Sequence, residues 1–194
     1  MAQHRTLLVA LAVCTILAIG CNRNSSSEVA SSTFDDLKNQ TPSAAELKDL
    51  DFMEALAVAN AWGRGEKGVT SFVDQRKISF EFSGGESVTV PLPLDKMVVA
   101  IAPFIEDTHP CEIHYMSGCQ GEMVGVPVQV TGRAKDGTLL VDDTFTTMDN
   151  GFIELWLPRS LEIDLEIEAE GKRATETIGT FDDSNTCITT IRLL

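Results

Sequence analysis

Eight consecutive residues, Leu161-Glu162-Ile163-Asp164-Leu165-Glu166-Ile167-Glu168, alternate apolar and acidic side chains without a slip. Only an extended strand puts neighbours on opposite faces and so separates such a pattern into an oily side and a wet side. The acidic row, continued by Glu170, therefore reads as the solvated face of a strand rather than a cation site. The same period governs Ile78–Phe82 and Ser87–Val90, which flank a Gly84-Gly85 turn. Asp136-Gly137, Asn150-Gly151 and Glu170-Gly171 are further turn signals. They place strands over Leu139–Val141, Phe152–Leu157 and Ala174–Ile178. Met97–Phe104 is a continuous apolar run with β-branched residues, the pattern of a buried strand. Val124–Val130 contains Pro127, which suggests an edge position. Cys187–Leu193 reads as the last strand. Short strands with turns between them predict an antiparallel β-sandwich over residues 76–194.

The preceding segment has a different period. Leu47, Leu50, Met53, Leu56, Ala57 and Val58 recur at spacings of three and four, as one helical stripe. Thr41-Pro42 reads as a cap and first helical position, Glu46 lies early, and Gly63 and Gly65 end the run. Residues 34–75 are expected to be a helical N-terminal region, so the chain is mainly β with a helical preface (α+β). The stripe can cover the next domain or a second copy in a homodimer. Upstream, Arg5 precedes an apolar run from Leu7 to Ile19, too short to span a bilayer and flanked like a cleaved signal. Its end, Leu17-Ala18-Ile19-Gly20-Cys21, resembles a bacterial lipobox, with Ala18 where leucine is commoner. Residues 1–20 are then a lipoprotein signal peptide and Cys21 is the lipidated residue. The serine-rich stretch 21–33 is a flexible tether to the membrane, facing the periplasm or the cell exterior.

Processing sharpens the inventory of reactive side chains. The chain has five cysteines and three histidines. Cys14 and His4 leave with the signal and Cys21 takes the lipid, leaving Cys111, Cys119, Cys187, His109 and His114. Three thiols cannot pair off internally. Four of these five residues fall between Thr108 and Gln120, in one connection between strands. Acidic side chains outnumber basic ones 29 to 15, which argues against nucleic acid as a partner. Thiolate is a soft ligand and imidazole a borderline one, a set that favours Cu(I) over hard cations. Zinc wants two closely spaced pairs; Cys111-x-x-His114 supplies one and Cys119 has no close partner. Cys111, Cys119 and a remote Cys187 would suit trigonal Cu(I). A Cys111–Cys119 disulfide in an exported protein is the competing reading. Met116 and Met123 lie beside the cluster and read as packing.

The stretch Val126 to Gly171, with V-x-V, D-G, T-x-D-N-G and L-P in order, resembles prealbumin-like, immunoglobulin-like or collagen-adhesin-like sandwiches. A more specific likeness starts at Thr108, where T-H-x-C-x-x-H-x-x-x-x-C-x-G-E resembles the signature of the CueP family of periplasmic copper-binding proteins. Val90–Leu94 with Val99–Phe104, Asp149–Phe152 with Leu155–Arg159, and Asp182–Thr190 resemble the family's other segments in the same order. The resemblance implies copper as cargo, with Cys111, Cys119 and Cys187 as its cysteine ligands and His114 as the motif histidine. It implies sequestration of Cu(I), copper resistance, supply to cuproenzymes such as periplasmic copper-zinc superoxide dismutase, and reliance on thiol-disulfide reductases. His109 is a further candidate ligand or loop-orienting group. The lipid anchor departs from the family's usual soluble form. No nucleophile elbow, phosphate loop or zinc-protease helix is present, so a binding protein is expected rather than an enzyme, with Cu(II) reduction by the cysteines as an accessory. The alternative from another class is a disulfide-stapled, adhesion-type sandwich lipoprotein without metal.

Overall fold

The computed structural model describes residue 39, residues 43–63 and residues 67–194. The expected signal, Cys21, the tether and the Thr41-Pro42 cap lie outside these residues. Among the described residues the helical preface shows helix α1 (Ala44–Leu47) and helix α2 (Phe52–Trp62). The split has a local cause at Asp51. Its carboxylate accepts the N–H groups of Met53 at 2.8 Å and Glu54 at 2.9 Å, and Glu54 reaches back to the Asp51 N–H at 3.0 Å. This reciprocal cap satisfies donors that a new helix leaves open, so a helix starts here rather than continuing. The restart resets the helical phase. Leu47, Leu56 and Val58 are buried as the stripe requires, but Met53 is 49% exposed and Ala55, Ala59 and Trp62 are buried as well. Gly63, at φ +41°, ends α2.

Ten strands follow: β1 (Val69–Val73), β2 (Lys77–Phe82), β3 (Ser87–Pro91), β4 (Lys96–Ile101), β5 (Pro127–Ala134), β6 (Leu139–Thr146), β7 (Ile153–Pro158), β8 (Glu162–Ala169), β9 (Lys172–Gly179) and β10 (Cys187–Ile188). Strand structure thus begins inside the stretch 34–75 read as helical. The strands form three sheets, ordered β1-β2-β3, β10-β4-β7 and β6-β5-β8-β9. All pairings are antiparallel except β10 with β4, which is parallel and two residues long. The last strand is accordingly shorter than Cys187–Leu193, with one added bridge between Phe104 and Arg192. Strand β5 is interior, against the edge reading. Pro127 is its first residue and faces only β6 there, because pairing with β8 starts at Gln129, so the missing N–H costs no ladder bond on that side.

The β10-β4-β7 sheet is the middle layer, which explains the unbroken apolar run of β4. Met97, Val99, Ile101, Ile153, Leu155 and Leu157 face the four-stranded sheet and form the sandwich core. The opposite face carries Val98 and Trp156 to a second core built from the helices and the β1-β2-β3 sheet. Phe52 of α2 packs against Trp156 in a tilted ring pair, centroids 4.9 Å apart. The helical stripe therefore covers this chain's own sheets. Small residues on that same face, Ala100 and Ala102, leave room for a third cluster with Cys119, Phe152 and Cys187. On the far sheet, the acidic row of β8 is solvated and partly paired: Asp164 with Lys135 at 2.6 Å, and Glu166 and Glu168 with Arg173 at 3.3 and 2.6 Å. Among the described residues no helix is long and apolar enough to cross a membrane.

Candidate metal centre

The connection from β4 to β5 is long, and its backbone is pinned at several points. The Glu122 carboxylate accepts the N–H groups of Ile105 at 2.7 Å and Glu106 at 3.0 Å. Those backbone donors, Ile105 first, hold its carboxyl below the ordinary value. Glu122 is thus a clasp between the two ends of the connection. Gly121 lies against Gly151, its N–H donating to the Asn150 carbonyl at 2.7 Å. A Cβ on Gly151, which has φ +78°, would sit 2.5 Å from the Gly121 oxygen. Only two glycines permit this approach. Between the clasps, Tyr115–Cys119 folds into a turn around sulfur. The Cys119 N–H donates to the Tyr115 carbonyl at 2.8 Å, and the Tyr115 N–H points at Cys119 Sγ at 3.4 Å.

Thr186 ties this loop to the chain's end. Its hydroxyl donates to the Val73 carbonyl at 2.7 Å and accepts the His114 N–H at 3.1 Å. Its own N–H donates to the Glu112 carbonyl at 2.9 Å. Next in sequence, Cys187 pairs with Ala100 of β4 and so is delivered to the loop.

All five candidate ligands meet here. Cys111 Sγ and Cys119 Sγ are 3.3 Å apart, beyond the ~2.05 Å of a disulfide, and all three cysteines are free thiols. Cys187 Sγ lies 3.9 Å from His114 Nδ1. Two overlapping triads result, His109–Cys111–Cys119 and His114–Cys119–Cys187, each with its ligand atoms within 4.8 Å of one another. Cys119 belongs to both. The second triad is dry: His114, Cys119 and Cys187 are 0%, 7% and 1% exposed. In the first, His109 and Cys111 are half-buried. Phe152 lies against both imidazoles, with ring centroids 4.6 Å from His114 and 6.5 Å from His109. A cavity of about 270 Å³ opens onto Cys111 and Cys187.

The thiols share their protons unequally. Cys119 is held well below the ordinary thiol value, chiefly by the hydrogen bond from Cys187, then by those from His114 and the Tyr115 N–H. Cys187 is held high by the same hydrogen bond seen from the donor's side, and by burial. Burial pushes Cys111 up to about 11. The three sulfurs are thus held apart in acidity, with the most acidic at the position common to both triads.

Residues beyond the cysteine–histidine motif complete the site. Glu154 of β7 is buried with Oε1 3.7 Å from His114 Nε2, and neither atom has a hydrogen-bond partner. Asn60 of α2 donates to Glu154 Oε2 at 2.9 Å. Desolvation raises the Glu154 carboxyl. A carboxylate behind an imidazole orients a ligand histidine and makes it more basic. Met148 packs against the cysteine cluster, whereas Met116 belongs to the helical core and Met123 to the sandwich core. The methionines near in sequence thus pack in the two larger cores, and a distant one packs against the cluster that holds the cysteines. Glu154 carried one legible sign, an acid in a strand with both faces covered, and that sign is readable only once the covering helix is placed.

The donor set is sulfur and imidazole without oxygen, which suits a soft monovalent metal. A family model described as periplasmic copper-binding protein CueP matches residues 54–192. A solved structure described as the crystal structure of S.CueP is 37% identical, with a TM-score of 0.62, covering 66% of this chain and 80% of that one. Among curated proteins none matches.

Proposed function

The chain belongs to the CueP family of periplasmic copper-binding proteins, and we propose that it binds copper as Cu(I) through Cys111, Cys119, Cys187 and His114, with His109 as a further ligand. The observation that carries this reading is the convergence of five soft or borderline donors around one shared sulfur. Metal–sulfur bonds near 2.3 Å place ligands about 4 Å apart, and the triads need only slight contraction to reach that. Held this way, copper is sequestered from water and from adventitious thiols. Copper resistance and supply of the metal to periplasmic cuproenzymes follow from such a role. Upstream, Cys21 carries lipid and residues 21–33 tether the domain to the membrane. Thiol-disulfide reductases keep Cys111 and Cys119 reduced, because a disulfide across their 3.3 Å gap would remove ligands from both triads.

Native mass spectrometry of the reduced protein titrated with Cu(I) tests this. Retained copper that is lost in a Cys111→Ser, Cys119→Ser, Cys187→Ser triple variant is expected. No retention, or full retention by the triple variant, overturns the reading. The sulfur pair also fits a second reading, a stapled structural module without metal. A free-thiol count on protein quenched directly from cells separates the two: three free thiols for copper binding, one for the staple.

A further inference from the structure

Five donors are more than one Cu(I) ion uses, and they differ in access. His109 and Cys111 are half-buried, while His114 and Cys187 are 0% and 1% exposed. The ligand atoms form two compact triangles rather than one pentagon, and the triangles have one corner in common, Cys119. A cavity of about 270 Å³ is lined by both Cys111 and Cys187. Among the described residues the outer triangle offers its imidazole from a half-buried position, and the inner one holds its imidazole between Phe152 and the Glu154 carboxylate.

We infer that the cluster is two overlapping Cu(I) sites, an outer receiving site of His109, Cys111 and Cys119 and an inner holding site of His114, Cys119 and Cys187, and that the metal moves from the first to the second around Cys119. This rests on the copper-binding reading and adds an order of events to it. The exchange balances without an oxidant or reductant. Copper stays monovalent and keeps its bond to Cys119 Sγ throughout. Bonds to Cys187 Sγ and His114 Nδ1 form as those to Cys111 Sγ and His109 break. The proton leaving Cys187 passes to the Cys111 sulfur that the metal vacates. Stepwise exchange with one ligand retained never releases the free ion, and it places the ion where water has been excluded and the donors are preorganised.

Stopped-flow transfer of Cu(I) from its bicinchoninate complex to the full, reduced chain tests the order. Two phases are expected: a concentration-dependent one for receipt, and a concentration-independent one for inward movement. His109→Ala lowers the first rate constant at least tenfold. Cys187→Ser, and independently His114→Ala, abolish the second phase and raise Kd at least a hundredfold. His109 is half-buried and outside the apolar cores, so its variant reports on uptake rather than folding; circular dichroism checks the two inner variants. A single phase, or a His109→Ala rate equal to wild type with copper still taken up, overturns the handover and leaves copper binding intact. No uptake by the wild-type chain overturns copper binding itself.

Discussion

Glu154 is the residue whose chemistry is least comfortable in the fold. Burial raises its carboxyl above the ordinary value. An acid raised in the folded state adds stability in full only below its unfolded pKa, near 4.5, and that contribution is lost as the pH rises through the folded value. Replacement by glutamine removes this loss. Glu154→Gln is expected to raise the Tm of the metal-free protein at pH 8 by about 2–4 °C, the shift that ~1 kcal/mol gives in a domain of this size. Near pH 4 the gain vanishes. Thermal unfolding at both pH values checks it; an equal shift at both would point to packing instead. The same variant should weaken Cu(I) binding about tenfold in a chelator competition, since His114 loses an anionic partner. Gly151→Ala belongs to this scale too. Left-handed backbone and contact with Gly121 make it cost about 3 kcal/mol in urea unfolding. The five candidate ligands were legible in the sequence because cysteine and histidine are scarce here and four of them fall between Thr108 and Gln120. Glu154 was not, because Ile153-Glu154-Leu155 looks like any half-solvated strand until α2 is laid over it.

Elements were legible in proportion to how cleanly their inward positions are apolar. The β2, β3, β8 and β9 strands alternate and stand close to where their patterns place them. Strand β1 escaped notice because its inward row is Val69, Ser71 and Val73, and the buried serine breaks the alternation. The Ser71 N–H donates to Ser117 Oγ at 3.1 Å, while its buried hydroxyl has no hydrogen-bond partner. The helix break escaped for the opposite reason: apolar spacing runs through Leu50 and Asp51, and a cap outweighs a stripe. Asp51→Ala is therefore expected to cost about 1 kcal/mol in urea unfolding, with a matching loss of helical signal in circular dichroism. A cost near zero would show that tertiary packing alone holds α2 in place. The parallel pairing of β10 with β4 had no local signature at all, since it depends on a return from a distant part of the chain.

At the scale of the molecule, the candidate ligands come from two places: the β4–β5 connection supplies four and the C-terminal segment supplies Cys187. A metal that binds only this assembled arrangement stabilises the whole fold. Free Cu(I) at about a thousand times Kd adds about 4 kcal/mol, or roughly 10 °C in Tm, in thermal unfolding of the reduced protein. Cys119→Ser, which opens both triads, should abolish the rise; a rise that survives would place the metal elsewhere. The two-residue β10 has one more consequence, which concerns time. The complete copper motif lies between Thr108 and Glu122, yet the sulfur that closes the inner triad waits until residue 187 has been made, exported and paired with Ala100. Contacts so far apart in sequence form late. A chain still in transit, or cut short before Thr186, carries the whole motif and cannot close the inner triad. The proposed holding site is thereby reserved for molecules that have finished folding.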